Sequence, residues 1–217
     1  PLSLTALNGQ LYFTAATAAE GRELWKSNGT GVGTLIVKDI IAGISSSFPD
    51  KLFNHNGILY FTATNGSGGN TNDEELWKSD GTSVGTVLVK DIFPGTFSSS
   101  PAFFTILNGN LYFTAADGTN GIELWKTDGT SNGTVMVKDI YTGSGGSAPT
   151  SLCIANNLLF FGATDAVNGK ELWKSDGTDA GTVLVKNIRS GATSSTPSNI
   201  TNANGTVYFS ADNSSSD

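Results

Sequence analysis

The feature that most constrains this chain is its own repetition. A unit that recurs at a fixed period folds the same way each time and packs against copies of itself. Tryptophan occurs at Trp25, Trp77, Trp125 and Trp173, at spacings of 52, 48 and 48 residues. Pro1, Pro49, Pro101, Pro149 and Pro197 keep the same rhythm, with four extra residues in the second interval, within Asn65 to Asp73. The 217 residues therefore read as a single repeat domain, with repeats 1–48, 49–100, 101–148 and 149–196 and a partial repeat 197–217.

Each repeat reads as four short strands, and the third shows the pattern. Ala102 to Leu107 (AFFTIL) ends at Asn108-Gly109, a pair that accepts positive φ at both central positions of a type I′ hairpin. Leu111 to Ala115 is the return strand and Glu123 to Lys126 (ELWK) the third. The segment TDGTSNGT then turns the chain, with an Asx-type cap from Asp128, and Val135 to Ile140 forms the fourth strand. No stretch has helical period. In LYFTA and ELW, neighbours that should face opposite ways are both apolar, as in strands covered on both faces. The expected fold is all-β, a β-propeller of four-stranded blades of about 48 residues, four complete and a fifth partial. A β-hairpin solenoid is the alternative, since it too covers both faces of each sheet.

The segments ELWKSDGTSVGTVLVKDI, ELWKTDGTSNGTVMVKDI and ELWKSDGTDAGTVLVKNI carry a specific likeness. The chain resembles the bacterial repeat family named for its ELWxxDGT motif over nearly its whole length. The first repeat departs by Asn28 where the others have Asp80, Asp128 and Asp176. The resemblance implies a secreted or surface-displayed bacterial protein with a propeller fold, and brings no catalytic residue or ligand with it. The NGxLYF…ELW order is also distantly similar to kelch blades, without their Gly-Gly pair.

Closing five full repeats would take about 244 residues, so the chain reads either as part of a longer array or as one that self-associates through its unfinished fifth repeat.

Function is less legible. Twelve basic and nineteen acidic residues give a net charge of −7, which disfavours nucleic acid as a partner. No apolar run is long enough for a membrane helix, so membrane insertion is not expected. One His (His55) and one Cys (Cys153) rule out a zinc cage or a disulfide framework. The four Trp could be sugar-stacking platforms, but their repeated mid-strand slot favours packing. Glu23, Glu75, Glu123 and Glu171 recur beside them. Four copies of one environment argue against a glycosidase pair, whose two carboxyls need different environments. An exposed interstrand pair with the lysines Lys38, Lys90, Lys138 and Lys186 is the expected role. Asp80, Asp128 and Asp176 read as turn caps, since each turn offers too few oxygens for calcium. Asp73, Glu74 and Glu75 are the one local acidic cluster and the weak metal candidates; no other cofactor is expected.

The chain is therefore expected not to be an enzyme. It is expected to be a bacterial extracellular or cell-surface scaffold for interaction with protein or matrix, with a multivalent carbohydrate-binding propeller as the alternative. Strand slots are nearly identical between repeats while exposed positions diverge, which favours surfaces particular to each repeat over four equal sugar sites.

Overall fold

In the computed structural model, which describes residues 1–66 and 73–213, every regular element is a strand. Part of the inserted Asn65 to Asp73 stretch thus lies outside the described residues. No helix among the described residues is long and apolar enough to cross a membrane.

Each full repeat is one antiparallel meander whose strands pair in chain order. The first sheet comprises β1 (Leu2–Leu7), β2 (Gln10–Thr17), β3 (Gly21–Ser27) and β4 (Leu35–Lys38), and the second β5 (Asp50–His55), β6 (Ile58–Thr64), β7 (Glu74–Ser79) and β8 (Val87–Lys90). The third holds β9 (Ala102–Leu107), β10 (Asn110–Ala116), β11 (Ile122–Thr127) and β12 (Val135–Lys138). The fourth holds β13 (Thr150–Ala155), β14 (Leu158–Asp165), β15 (Gly169–Ser175) and β16 (Val183–Lys186), and the partial repeat pairs β17 (Ser198–Ala203) with β18 (Thr206–Ser210). The fourth strand ends at Lys138, two residues short of the expected Ile140, because the Ile140 N–H leaves the ladder and donates to the Glu123 carboxylate.

Local chemistry sets these bends. Asn108 and Gly109 have φ of 50° and 80°, the two positive values a type I′ hairpin requires, and the other repeats match them, with Asn156-Asn157 in the fourth. In the DGT turn, Asp128 Oδ1 accepts from the Thr130 N–H and hydroxyl, and Thr130 Oγ1 accepts from the Gly133 N–H. The first repeat builds the same turn on Asn28 Oδ1.

The chain divides into two compact units, Pro1–Pro101 and Ala102–Asp217. In the first, Leu7, Tyr12, Leu24 and Val37 of one sheet pack on Leu59, Phe61, Ala63 and Trp77 of the next. In the second, Leu107, Tyr112, Leu124 and Val137 pack on Leu159, Phe161, Ala163 and Trp173. Consecutive buried residues along β6 and β10 show both faces of these two sheets covered, which explains the broken alternation of LYFTA there.

Polar contacts fix the register between neighbouring repeats. Lys26 Nζ donates to the Gly81 carbonyl at 2.8 Å and Lys38 Nζ to the Thr86 carbonyl at 2.8 Å. In the second unit Lys126 Nζ reaches the Gly177 carbonyl at 2.7 Å, and Lys138 Nζ reaches the carbonyl and carboxylate of Asp179. The Tyr12 hydroxyl lies so close over Gly81, and that of Tyr112 over Gly177, that a Cβ at either glycine would collide with it. Burial, and secondarily the charges of Asp80 and Asp176, push both tyrosine hydroxyls above their ordinary pKa.

Candidate functional site

One end of every repeat carries backbone strain. The residue before each repeat-opening proline, Phe48, Ser100, Ala148 and Thr196, has φ between 43° and 50°. Residues before proline normally stay extended. Two residues after each of these prolines, and at the matching place in the first repeat, Ser3, Lys51, Phe103, Ser151 and Asn199 have φ of 50–58°. These five interrupt the pairing of each first strand with the second as a bulge. A side chain held at positive φ costs on the order of 1–3 kcal/mol, and such residues gather where they serve a site.

The buried glutamates hold this end in place. Glu75 Oε2 accepts from the Ile92 N–H at 3.0 Å and the Ser99 hydroxyl at 2.6 Å, and Oε1 from the N–H groups of Phe93 and Ser99. Glu123 repeats the pattern with Ile140, Tyr141 and Ser147, and Glu171 with Ile188, Arg189 and Ser195. Glu23 takes the Ile40 and Ser47 N–H groups and the Ser47 hydroxyl. Each carboxylate thus folds back the connection that delivers the strained residue before proline. The Ser47 and Phe48 N–H groups also donate to the Arg22 carbonyl, and the Ser47 carbonyl accepts from the Thr64 N–H.

The expected exposed pair of Glu123 with Lys138 does not form among the described residues, Lys138 reaching Asp179 instead, and register is the reason. Leu124, not Glu123, is opposite Lys138, so glutamate and lysine leave the sheet on opposite faces. Burial pushes Glu23, Glu75 and Glu123 above the ordinary carboxylate range against the pull of their donors, Glu75 to about 7. All four glutamates are at most 2% exposed, so none can touch a substrate.

A cavity of about 280 Å³ opens at the strained end of the first unit, lined by Leu2, Ser3, Arg22, Phe48, Asp50 and Glu74 among others. Burial raises the Asp50 carboxyl, but donation from Ser3 and the Lys51 backbone, with the charges of Lys51 and Arg22, outweighs this and holds it below its ordinary pKa. Lys51 pairs with Glu74 at 3.3 Å. Arg22 forms no ion pair among the described residues, and Lys170, its counterpart in the fourth repeat, forms none either. Burial lowers the Lys170 pKa. A second cavity of about 350 Å³ in the other unit is lined by Thr196, Ser198, Ser210 and Asp212, with Thr196 and Ser198 in the slots of Phe48 and Asp50.

The other candidates take framework positions. Trp77, Trp125 and Trp173 are buried and Trp25 is half-buried, with Trp77 stacked on Phe61 at 6.5 Å between ring centres. Asp80, Asp128 and Asp176 each cap their own turn. Asp73, Glu74 and Glu75 do not converge. Glu74 turns to Lys51 and the Thr62 hydroxyl, while Glu75 serves the Ser99 connection. No three His, Cys, Asp or Glu side chains among the described residues come together as metal ligands. The strained end itself was missed in the sequence. Its one signal is the variable residue two places after each repeat-opening proline.

No family model and no curated protein matches the chain. Among solved structures it is similar to an acylaminoacyl peptidase from Pyrococcus horikoshii, with 11% identity and a TM-score of 0.53, covering 85% of this chain and 27% of that one. A puromycin hydrolase matches at 17% identity and a TM-score of 0.49, over 82% of this chain and 27% of that one. An alpha-L-arabinofuranosidase from Clostridium thermocellum matches at 16% identity and a TM-score of 0.35, over 84% and 70%. The chain thus spans about a quarter of the first two structures. The peptidase corrects the expectation that the chain is not an enzyme, since a fold of this kind occurs there within an enzyme. What the likeness to the peptidase establishes is the fold: an all-β array of four-stranded antiparallel sheets.

Proposed function

We propose that the chain is an interaction module of a bacterial surface or secreted protein, its sheets set as propeller blades, and that it binds a protein or matrix partner at the strained end of its repeats. One observation carries this reading. The positive-φ backbone is repeated five times while its side chain takes four chemistries, serine at Ser3 and Ser151, then Lys51, Phe103 and Asn199. A packing role would keep the side chain constant, as the Trp and Glu slots are kept. Recognition keeps the geometry and varies the chemistry it presents. Arg22, beside Asp50 in the cavity at this end, and Lys170, which forms no ion pair among the described residues, favour partners bearing carboxylate or sulfate groups.

Binding of the purified chain to arrays of glycans and of peptides tests this, with and without calcium chelation. Signal on acidic members that falls about tenfold in Arg22→Ala or Lys170→Ala is the expected result. Signal that ignores both substitutions defeats the assignment to this end. Turnover of a bound array member would make the site catalytic. A repeat-equivalent response on neutral sugars alone would favour the carbohydrate-binding alternative.

A further inference from the structure

The cavity between the first two repeats carries a set of side chains that the framework does not require. Ser3, Thr14 and Arg22 come to it from the first repeat and Asp50 and Glu74 from the second, with Phe48 on the connection between them. The same places between the third and fourth repeats hold Phe103, Thr114, Ile122, Thr150, Lys170 and Ala148. Those two sheets pack as the first two do, without the arginine, either carboxylate or the aromatic ring on the connection. A charge set that folding dispenses with in one unit and keeps in the other points to a ligand.

The chemistry of the set narrows that ligand. Arg22 forms no ion pair among the described residues, so its planar fork of N–H donors is open to a bidentate acceptor. Asp50 and Glu74 are acceptors, and each already has a cation at hand, Asp50 the charge of Arg22 and Glu74 that of Lys51 at 3.3 Å. An ammonium group therefore gains little from them, whereas neutral hydroxyls can donate to the lone pairs left over. Phe48, 50% exposed, offers an apolar ring. At about 280 Å³ the cavity is near the lower bound of small-ligand pockets, roughly 300 Å³, and suits one ring. A carboxylate, several hydroxyls and an apolar C–H face occur together on a uronic acid. A sulfate would set a third anionic oxygen against Asp50, and an acidic peptide side chain brings no hydroxyls for the two carboxylates.

We propose that this cavity seats a uronic acid residue of a polysaccharide, its carboxylate on Arg22, its hydroxyls donating to Asp50 and Glu74 and its ring against Phe48. The proposal rests on the reading of the strained end as the binding end, and names the matrix partner it takes.

Isothermal titration calorimetry with tetragalacturonate tests it, beside a neutral galactose tetrasaccharide, a sulfated galactan tetrasaccharide and a glutamate-rich peptide. Wild type is expected to bind tetragalacturonate about tenfold more tightly than any of the others. Arg22→Lys, which keeps the charge and loses the fork, is expected to weaken that binding about tenfold. Asp50→Ala decides the chemistry. It weakens binding about tenfold if hydroxyls donate to Asp50, but tightens the binding of an anion held by charge alone, because a repulsion is removed. The third and fourth repeats pack with Ile122 and Thr150 in these slots, so both variants should keep the wild-type circular dichroism spectrum and melting temperature. Tighter binding in Asp50→Ala, equal binding of the neutral tetrasaccharide, or no binding of tetragalacturonate would each overturn the proposal. A sulfated fragment or peptide that then binds, and weakens in Arg22→Ala, would leave the strained end its role with another partner. No response of any probe to Arg22→Ala would remove that role from this cavity as well.

Discussion

Glu75 and Asp80 carry the same charge, stand five residues apart in one repeat and sit in opposite physical regimes. The glutamate is buried and takes four hydrogen bonds from a connection that starts 17 residues on, while the aspartate is exposed and bonds only to its own turn. Burial drives the Glu75 pKa up to about 7, whereas the Thr82 hydroxyl and N–H hold Asp80 below its ordinary value. The first repeat shows what the turn needs. Asn28 bonds Thr30 just as Asp80 bonds Thr82, so the turn requires an acceptor oxygen and not a charge. The buried position has no such substitute in any repeat.

The sharpest way to break this contrast is Glu123→Ala. It strands the Ile140, Tyr141 and Ser147 N–H groups and the Ser147 hydroxyl, and should cost about 3 kcal/mol or more in a urea titration. A loss below about 1 kcal/mol would mean that the carboxylate does not clip the connection.

Next in size is Gly177→Ala, which adds a Cβ at positive φ beneath the Tyr112 hydroxyl and should destabilise by about 2 kcal/mol. In a Tyr112→Phe background the same change should cost less, the difference measuring the contact between repeats. Phe160, which fills the tyrosine slot of the fourth repeat, shows that the slot folds without its hydroxyl.

The pH dependence separates the two acids by sign. Glu75 titrates higher in the folded chain than unfolded, so the folded form binds more protons between the ordinary carboxylate range and about pH 7. Its stabilising contribution is complete below about pH 4.5 and is lost as pH rises through about 7, on the order of 3 kcal/mol, with Glu23 and Glu123 acting in the same direction. Melting temperature followed across this window should fall in wild type, with a shallower slope in Glu75→Gln. Asp80 and Asp176, held low, contribute the opposite slope at more acid pH, where protonation removes their stabilising form. The smallest effect belongs to Asp176→Asn, which should melt with wild type because the amide oxygen keeps both turn bonds. A clear drop would show that the charge matters there.

These two acids also mark how far the sequence could be read. The aspartate's role was visible because its partner is two residues away, inside the same turn. The glutamate's role was not, because its partner Ser99 lies 24 residues on, in a connection with no regular structure. The lysines of the VKDI strand were likewise paired with the wrong group, since the acceptors of Lys38 and Lys138 belong to the next repeat.

The sequence by itself determined the period, the four strands of each repeat, the Asn-Gly hairpins and the DGT turns, because each depends on residues close together in the chain. Tertiary structure decided which acid is buried, which glycine receives a tyrosine hydroxyl and which residues are held at positive φ. Those outcomes depend on one sheet stacking on the next. Only that stacking brings groups about 50 residues apart within hydrogen-bond range, as it does Lys26 and the Gly81 carbonyl, 55 positions away.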